Sequence, residues 1–142
     1  MNIIIHTDGG SIGNPGPSAI GVVVELPGKK KTYAEDVGSG TNNEAEYKAL
    51  VFALRKAKLL IGGKRAKQAD LKCFSDSQLM VSQLNHEYHL KNKKIVDLFV
   101  QVWNLMLEFR SVEFRHVPRE ENQEADDLVK SVINGGKQDS FF

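Results

Sequence analysis

The apolar period of this chain changes at Thr41-Asn42-Asn43, and the change restricts the fold to a mixed one. Upstream lie three short β-branched runs: residues 2–8, Ala19 to Leu26, and Lys31 to Val37. Concentrated turn signals, Gly13-Asn14-Pro15-Gly16-Pro17 and Pro27-Gly28, separate them and predict an antiparallel meander. Downstream, Ala49, Leu50, Ala53, Leu54, Ala57 and Ile61 recur at helical spacing until Gly62-Gly63. A fourth strand over 69–75 hands over at Asp76-Ser77 to a helix carrying Leu79, Met80, Val81 and Leu84. Lys94 to Phe109 predicts a third helix with Ile95, Leu98, Phe99, Val102, Leu105, Met106 and Phe109 on one stripe. Trp103 is expected on its flank. Residues 111–117 alternate as a fifth strand, and after Pro118 the positions Ala125, Leu128, Val129, Val132 and Ile133 define a last helix. Gly135-Gly136 is expected to end it. The order predicts an α/β chain: a five-stranded mixed sheet, meander plus parallel strands, with helices on both faces.

At 142 residues the chain is long enough for one self-sufficient core. Residues 1–136 are expected to form the domain and 137–142 a C-terminal tail. The lone Cys73 lies in an apolar strand and reads as a small buried hydrophobe, which suits a reducing cytoplasm. No leader pattern and no membrane-length apolar run occurs, so a soluble, intracellular, stand-alone protein is expected. A net charge of +1 excludes a uniformly basic nucleic-acid binder. The lysines are nonetheless clustered, at Lys29-Lys30-Lys31, at Lys64-Arg65-Ala66-Lys67 and at Lys91-Asn92-Lys93-Lys94. Each cluster is either a solvated face or a source of phosphate contacts.

Four acids sit at the edges of segments that otherwise belong to the core. Asp8 follows Ile3-Ile4-Ile5, and Asp76 follows Leu71-Lys72-Cys73-Phe74. Glu46 shares a helix face with Ala49, Leu50, Ala53 and Ala57, whereas Glu44 and Lys48 fall on a polar face. Asp126 aligns with Val129 and Ile133, leaving Asp127 the more solvated neighbour. A carboxylate on a core-facing stripe is costly unless it is paired, protonated or bound to a cation. Each acid alone admits an ordinary reading as a turn residue, a helix cap or a dipole-favoured first-turn acid. Taken together, in a topology that brings their element ends together, they fit a divalent metal site built from hard oxygen ligands.

Five blocks carry a resemblance: Thr7-Asp8-Gly9-Gly10-Ser11, Gly13-Asn14-Pro15-Gly16-Pro17, Thr41-Asn42-Asn43-Glu44-Ala45-Glu46, Ser75-Asp76-Ser77-Gln78, and His116-Val117-Pro118-Arg119-Glu120-Glu121-Asn122-Gln123-Glu124-Ala125-Asp126. In this order and spacing they resemble type 1 ribonuclease H over nearly the full length. The resemblance implies the ribonuclease H-like fold and an endoribonuclease that hydrolyses the RNA strand of RNA/DNA hybrids, leaving 3′-hydroxyl and 5′-phosphate ends. It implies two Mg²⁺ ions, with Mn²⁺ a substitute, held by Asp8, Glu46, Asp76 and Asp126. Asp8 would bridge both ions, Glu46 and Asp76 would complete one site, and Asp126 the other. Asn14, Asn42, Asn43 and Gln78 match residues that contact the hybrid in its minor groove, where the 2′-hydroxyl marks RNA. Thr41 with Asn14 matches a holder of a DNA-strand phosphate. Asn14 also fits a turn, and Asn42 or Asn43 a helix cap. His116 matches a mobile histidine that assists proton transfer or product release.

The chain departs from the best-known members of that family in lacking their basic protrusion, of which only residues 86–94 remain. It resembles the short branch, which implies weaker or more salt-sensitive binding and a looser discrimination against double-stranded RNA. A catalytically altered nucleic-acid-binding domain and a DNA-directed nuclease of the same fold are the alternatives. The retained acids speak against the first, and the Thr41-Asn42-Asn43 and Asp76-Ser77-Gln78 blocks against the second. A monomer is expected. Gln138 to Phe142 loosely resembles peptides that dock on bacterial sliding clamps. His6 is expected to be structural, and nothing is assigned to His86 or His89.

Overall fold

The protein is described by a computed structural model covering residues 1–139. Strands β1 (Asn2–Ser11), β2 (Gly16–Leu26) and β3 (Lys29–Gly40) form the antiparallel meander. Helices α1 (Asn42–Ile61) and α2 (Gly63–Ala66) lead into β4 (Asp70–Ser75). Helices α3 (Gln78–Leu84) and α4 (Lys93–Met106) precede β5 (Ser111–His116). A 3-10 turn at Arg119–Glu121 then opens α5 (Gln123–Asp139). The sheet order is β3-β2-β1-β4-β5, with β1 parallel to β4 and β4 parallel to β5. No helix among the described residues is long and apolar enough to cross a membrane.

Alternation along β1 divides the two faces. Ile3, Ile5 and Thr7 point into the main core with Ile20, Val22 and Val24 of β2, and α1 lies over them with Tyr47, Leu50 and Leu54 fully buried. Helix α5 lies on the opposite face, against β1 and β2. Two glycines permit these close approaches: a Cβ on Gly9 would lie 2.3 Å from the Ala45 carbonyl carbon, and one on Gly21 would lie 2.2 Å from the Ala125 carbonyl oxygen. Gly21 is the register partner of Asp8. Both helices are thus brought against β1 and β2 around one carboxylate.

Local chemistry sets the element ends. The Thr41 hydroxyl accepts from the Glu44 N–H at 3.1 Å and caps α1, so neither Asn42 nor Asn43 is the cap. Ser77 caps α3 by accepting from the Met80 N–H at 3.2 Å, so the Asp76 carboxylate is not the cap. Gly62, at φ 86°, closes α1 by donating to the Lys58 carbonyl at 2.8 Å.

Several expectations are corrected. Strand β1 does not end at Asp8 but continues to Ser11, because β2 still pairs with it after β4 has stopped. Helix α4 stops at Met106, with Phe109 buried in the turn that follows. Glu44 is buried rather than on a polar face, packed beside Gly40 at the start of α1. Leu79, one of the apolar residues expected on α3, is 46% exposed, and Trp103 on the flank of α4 is 53% exposed. The pair Gly135-Gly136 does not end α5, which runs to Asp139. The Phe141-Phe142 end of the clamp-like segment lies outside the described residues. Cys73 is buried and unpaired, with burial pushing its thiol up to about 12. His6 stacks on Phe74 with ring centroids 5.1 Å apart.

The Gly21 contact yields a test. Gly21→Ala drives a methyl group into α5 backbone, so unfolding free energy should fall by roughly 1–3 kcal/mol in a denaturant titration. An unchanged midpoint would mean that α5 does not sit this close to β2.

Candidate active site

Strand β1 passes the end of β4 at Thr7, the register partner of Ser75. Asp8 and Asp76 are the next residues on these two parallel strands, at the position where open α/β sheets bind ligands. Glu46 descends from the first turns of α1, and Gly9 N–H donates to its carboxylate. One oxygen from each of Asp8, Glu46 and Asp76 lies within 4.8 Å of the others. Asp126, on the first turn of α5, stands outside this triplet but lines the same cleft. The cleft, about 470 Å³, is completed by Gly9, Gly10, Asn42, Asn43 and Arg119.

Burial and mutual repulsion leave Asp8 and Glu46 reluctant to ionise. Asp8 is pushed up to about 7, first by burial and then by the Asp76 charge. Glu46 is held well above its ordinary range, by burial and then by Asp8. Asp126 differs: burial raises it, but the hydrogen bond and charge of Lys130, at 2.9 Å, outweigh this and leave it lowered. Asp76 has Arg119 at 3.7 Å. The arrangement is three converging carboxylates with a fourth beside them, two of the four resisting ionisation in the absence of a cation.

Residues 6–132 match the reverse transcriptase-like family. The bifunctional protein Rv2228c of Mycobacterium tuberculosis is 34% identical over 141 residues, which cover 97% of this chain and 37% of that protein. Ribonuclease HI of Halobacterium salinarum is 34% identical over 132 residues, covering 91% of this chain and 63% of that one. The chain thus spans little more than a third of the mycobacterial relative's length. Among solved structures, LC11-RNase H1 in complex with an RNA/DNA hybrid superposes with a TM-score of 0.86 at 35% identity, over 94% of this chain and 98% of that one. The chain belongs to the reverse transcriptase-like family, with the ribonuclease H fold.

The residues expected to contact a substrate surround the cleft rather than fill it. Asn42 and Asn43 line it, and Asn43 Oδ1 is buried with no hydrogen-bond partner among the described residues. Asn14, in the β1–β2 loop, accepts from the Asn42 N–H at 2.9 Å, and Asn42 Oδ1 accepts from the Ser11 N–H at 2.9 Å. These bonds join the loop to the start of α1 and hold the two amides side by side. Thr41 is engaged as the cap, and Gln78 is exposed on the first turn of α3. His116 is exposed at the end of β5, in register with Ser75 and outside the cleft lining.

Two residues escaped sequence reasoning. Arg119 lies within a quoted block, but only the fold shows its guanidinium at the cleft. Asn122 is fully buried: its Nδ2 donates to the Thr7 carbonyl at 2.9 Å, and its carbonyl accepts from the Asp126 N–H at 3.1 Å. It ties the strand carrying Asp8 to the helix carrying Asp126. Its place four residues before Asp126 is the N-cap position, the signal that was available.

The sign of the pH dependence follows from Asp8. Between its ordinary 3.8 and about 7 the native chain keeps a proton that the unfolded chain has lost. Asp8's contribution to the stability of the metal-free protein is therefore full below about pH 4 and is lost as pH rises through about 7, Glu46 acting in the same direction. Asp126 acts oppositely, its contribution being lost only as pH falls below its ordinary 3.8. Thermal melts in a chelator should give a lower Tm at pH 8 than at pH 5.5, with a smaller drop in Asp8→Asn. A drop as large in Asp8→Asn would exclude Asp8 as the cause.

Proposed function

We propose that this chain is a monomeric, cytoplasmic endoribonuclease that hydrolyses the RNA strand of RNA/DNA hybrids, leaving 3′-hydroxyl and 5′-phosphate ends. The triplet of Asp8, Glu46 and Asp76, within 4.8 Å in a cleft rimmed by amides, carries this reading. The similarity to ribonuclease H proteins, one of them solved with a hybrid, supports the substrate class.

The donor set fits a hard divalent cation. All the converging ligands are carboxylate oxygens, two of these groups ionise reluctantly without a counter-charge, and Asn43 brings an unpartnered oxygen to the same cleft. Asp8, Glu46 and Asp76 would hold one Mg²⁺, and Asp8 with Asp126 a second, Mn²⁺ serving as substitute. When bound there, the ions supply an activated water and charge neutralisation at the 3′ leaving oxygen.

The chain's own groups orient the substrate. Asn14 and Asn42 have their oxygens committed within the protein, so their amide N–H groups remain as donors toward a minor groove, where base edges and ribose hydroxyls accept. Asn43 and Gln78 extend this row on α1 and α3. Thr41 and Asn14 are assigned a phosphate of the DNA strand. Arg119 offers a cation to the backbone at the cleft, and His116 is assigned the supporting step of proton transfer or product release. With the basic protrusion absent, phosphate contacts are fewer, which weakens binding to the hybrid and leaves double-stranded RNA a weaker second substrate.

Cleavage of matched RNA/DNA, RNA/RNA and DNA/DNA duplexes with Mg²⁺ or Mn²⁺ tests the reading. The hybrid's RNA strand should be cut fastest, and Asp8→Asn should lower the rate by at least about 10²-fold. Cleavage of DNA/DNA alone would sink the hybrid assignment, and equal rates for Asp8→Asn would sink the metal assignment.

A further inference from the structure

A second concavity, about 480 Å³, lies away from the acidic cleft, where α1, α4 and the edge strand β3 meet. Its floor is apolar, formed by Val37, Val51, Phe52 and Leu98. Leu59, at its margin, leaves 75% of its surface in water.

The rim is cationic and unneutralised. Lys48 Nζ donates to the Val37 carbonyl at 3.4 Å, Arg55 donates to Gln101 Oε1 at 3.2 Å, and Lys56 Nζ stands 5.4 Å from the ring centroids of Tyr33 and Phe52. All of these partners are neutral, and no carboxylate among the described residues pairs with any of the three. Lys58 on the same helix contrasts with them, since Glu108 neutralises it at 3.3 Å. No acid lines the groove, Asp97 one turn before Gln101 included. Three cations around an apolar trough are complementary to a ligand with negative charge outside and apolar side chains inside.

We propose that this groove binds a short acidic segment of another protein, with apolar side chains anchored between α1 and α4 and carboxylates on Lys48, Arg55 and Lys56. A nucleic acid supplies the charge but not the complementary shape. Base stacking needs open aromatic faces, whereas the floor is largely aliphatic and Lys56 already stands over the two rings near it. Apolar anchors in such a trough give affinity, and the cationic rim gives on-rate and selectivity.

The test uses the full chain and displayed octapeptides drawn from Asp, Glu, Leu, Ile, Phe and Trp, with a control library in which Ser replaces the acids. Acidic-apolar peptides should be enriched over the control, and the selected peptide should perturb amide resonances of Val51, Phe52, Leu59 and Leu98. Arg55→Glu and Lys56→Glu, both remote from the acidic cleft, should each weaken its binding by at least about tenfold while leaving nuclease activity and KM for the hybrid unchanged. No enrichment over the serine control would overturn the proposal, as would equal binding by both variants. A single-stranded 12-mer oligonucleotide that binds the wild type and loses affinity in Arg55→Glu would reassign the groove to nucleic acid.

Discussion

Repulsion among buried carboxylates is the constraint on which the rest of the molecule depends. Asp8, Glu46 and Asp126 are each no more than about a tenth exposed, and Asp76 is close beside them. No arrangement of a sheet and two helices places such groups together for stability's sake, because buried like charges oppose folding. The fold bears the cost in protonation, with Asp8 held at about 7 and Glu46 well above its ordinary range. A divalent cation reverses the balance, since it favours the ionised forms and turns repulsion into ligation.

The scaffold around that point is correspondingly inflexible. Gly9 and Gly21 admit α1 and α5 at distances that no side chain allows, Asn122 ties α5 to the carbonyl before Asp8, and Ser77 takes over the capping of α3. Each of these places a carboxylate by restraining the backbone that carries it rather than by touching the carboxylate. The exception is Gly9, whose N–H donates directly to Glu46. Such support fixes oxygens within ångströms of one another before any ligand arrives.

Much of this was legible in the sequence, for physical reasons. The switch of period at Thr41-Asn42-Asn43 reports a change of secondary structure, and all five strands and the major helices occur in the order the patterns predict, with the ends of β1, α4 and α5 displaced. The core-facing position of Glu46 is likewise a matter of helical geometry. What stayed hidden depends on tertiary closeness. Glu44 looks polar on a helical wheel, yet the end of β3 packs over it, and Leu79 looks like core, yet it is exposed at the cleft. Gly135-Gly136 is a strong stop signal locally, but α5 runs through it. Arg119 and Asn122 gain meaning only when β5 and α5 bring them back to β1. The groove between α1 and α4 was invisible because Lys48, Arg55 and Lys56 are unremarkable until their lack of acidic partners is seen in space.

The central claim is that these carboxylates are held together for a cation, and calorimetric titration of the nucleic-acid-free protein with Mg²⁺ tests it most directly. The account predicts saturable binding by the wild type at pH 8, its loss in Asp8→Asn, and a higher Tm for metal-free Asp8→Asn than for metal-free wild type, because removing one charge relieves the others. Binding by Asp8→Asn equal to that of the wild type, or no binding by the wild type, would contradict it.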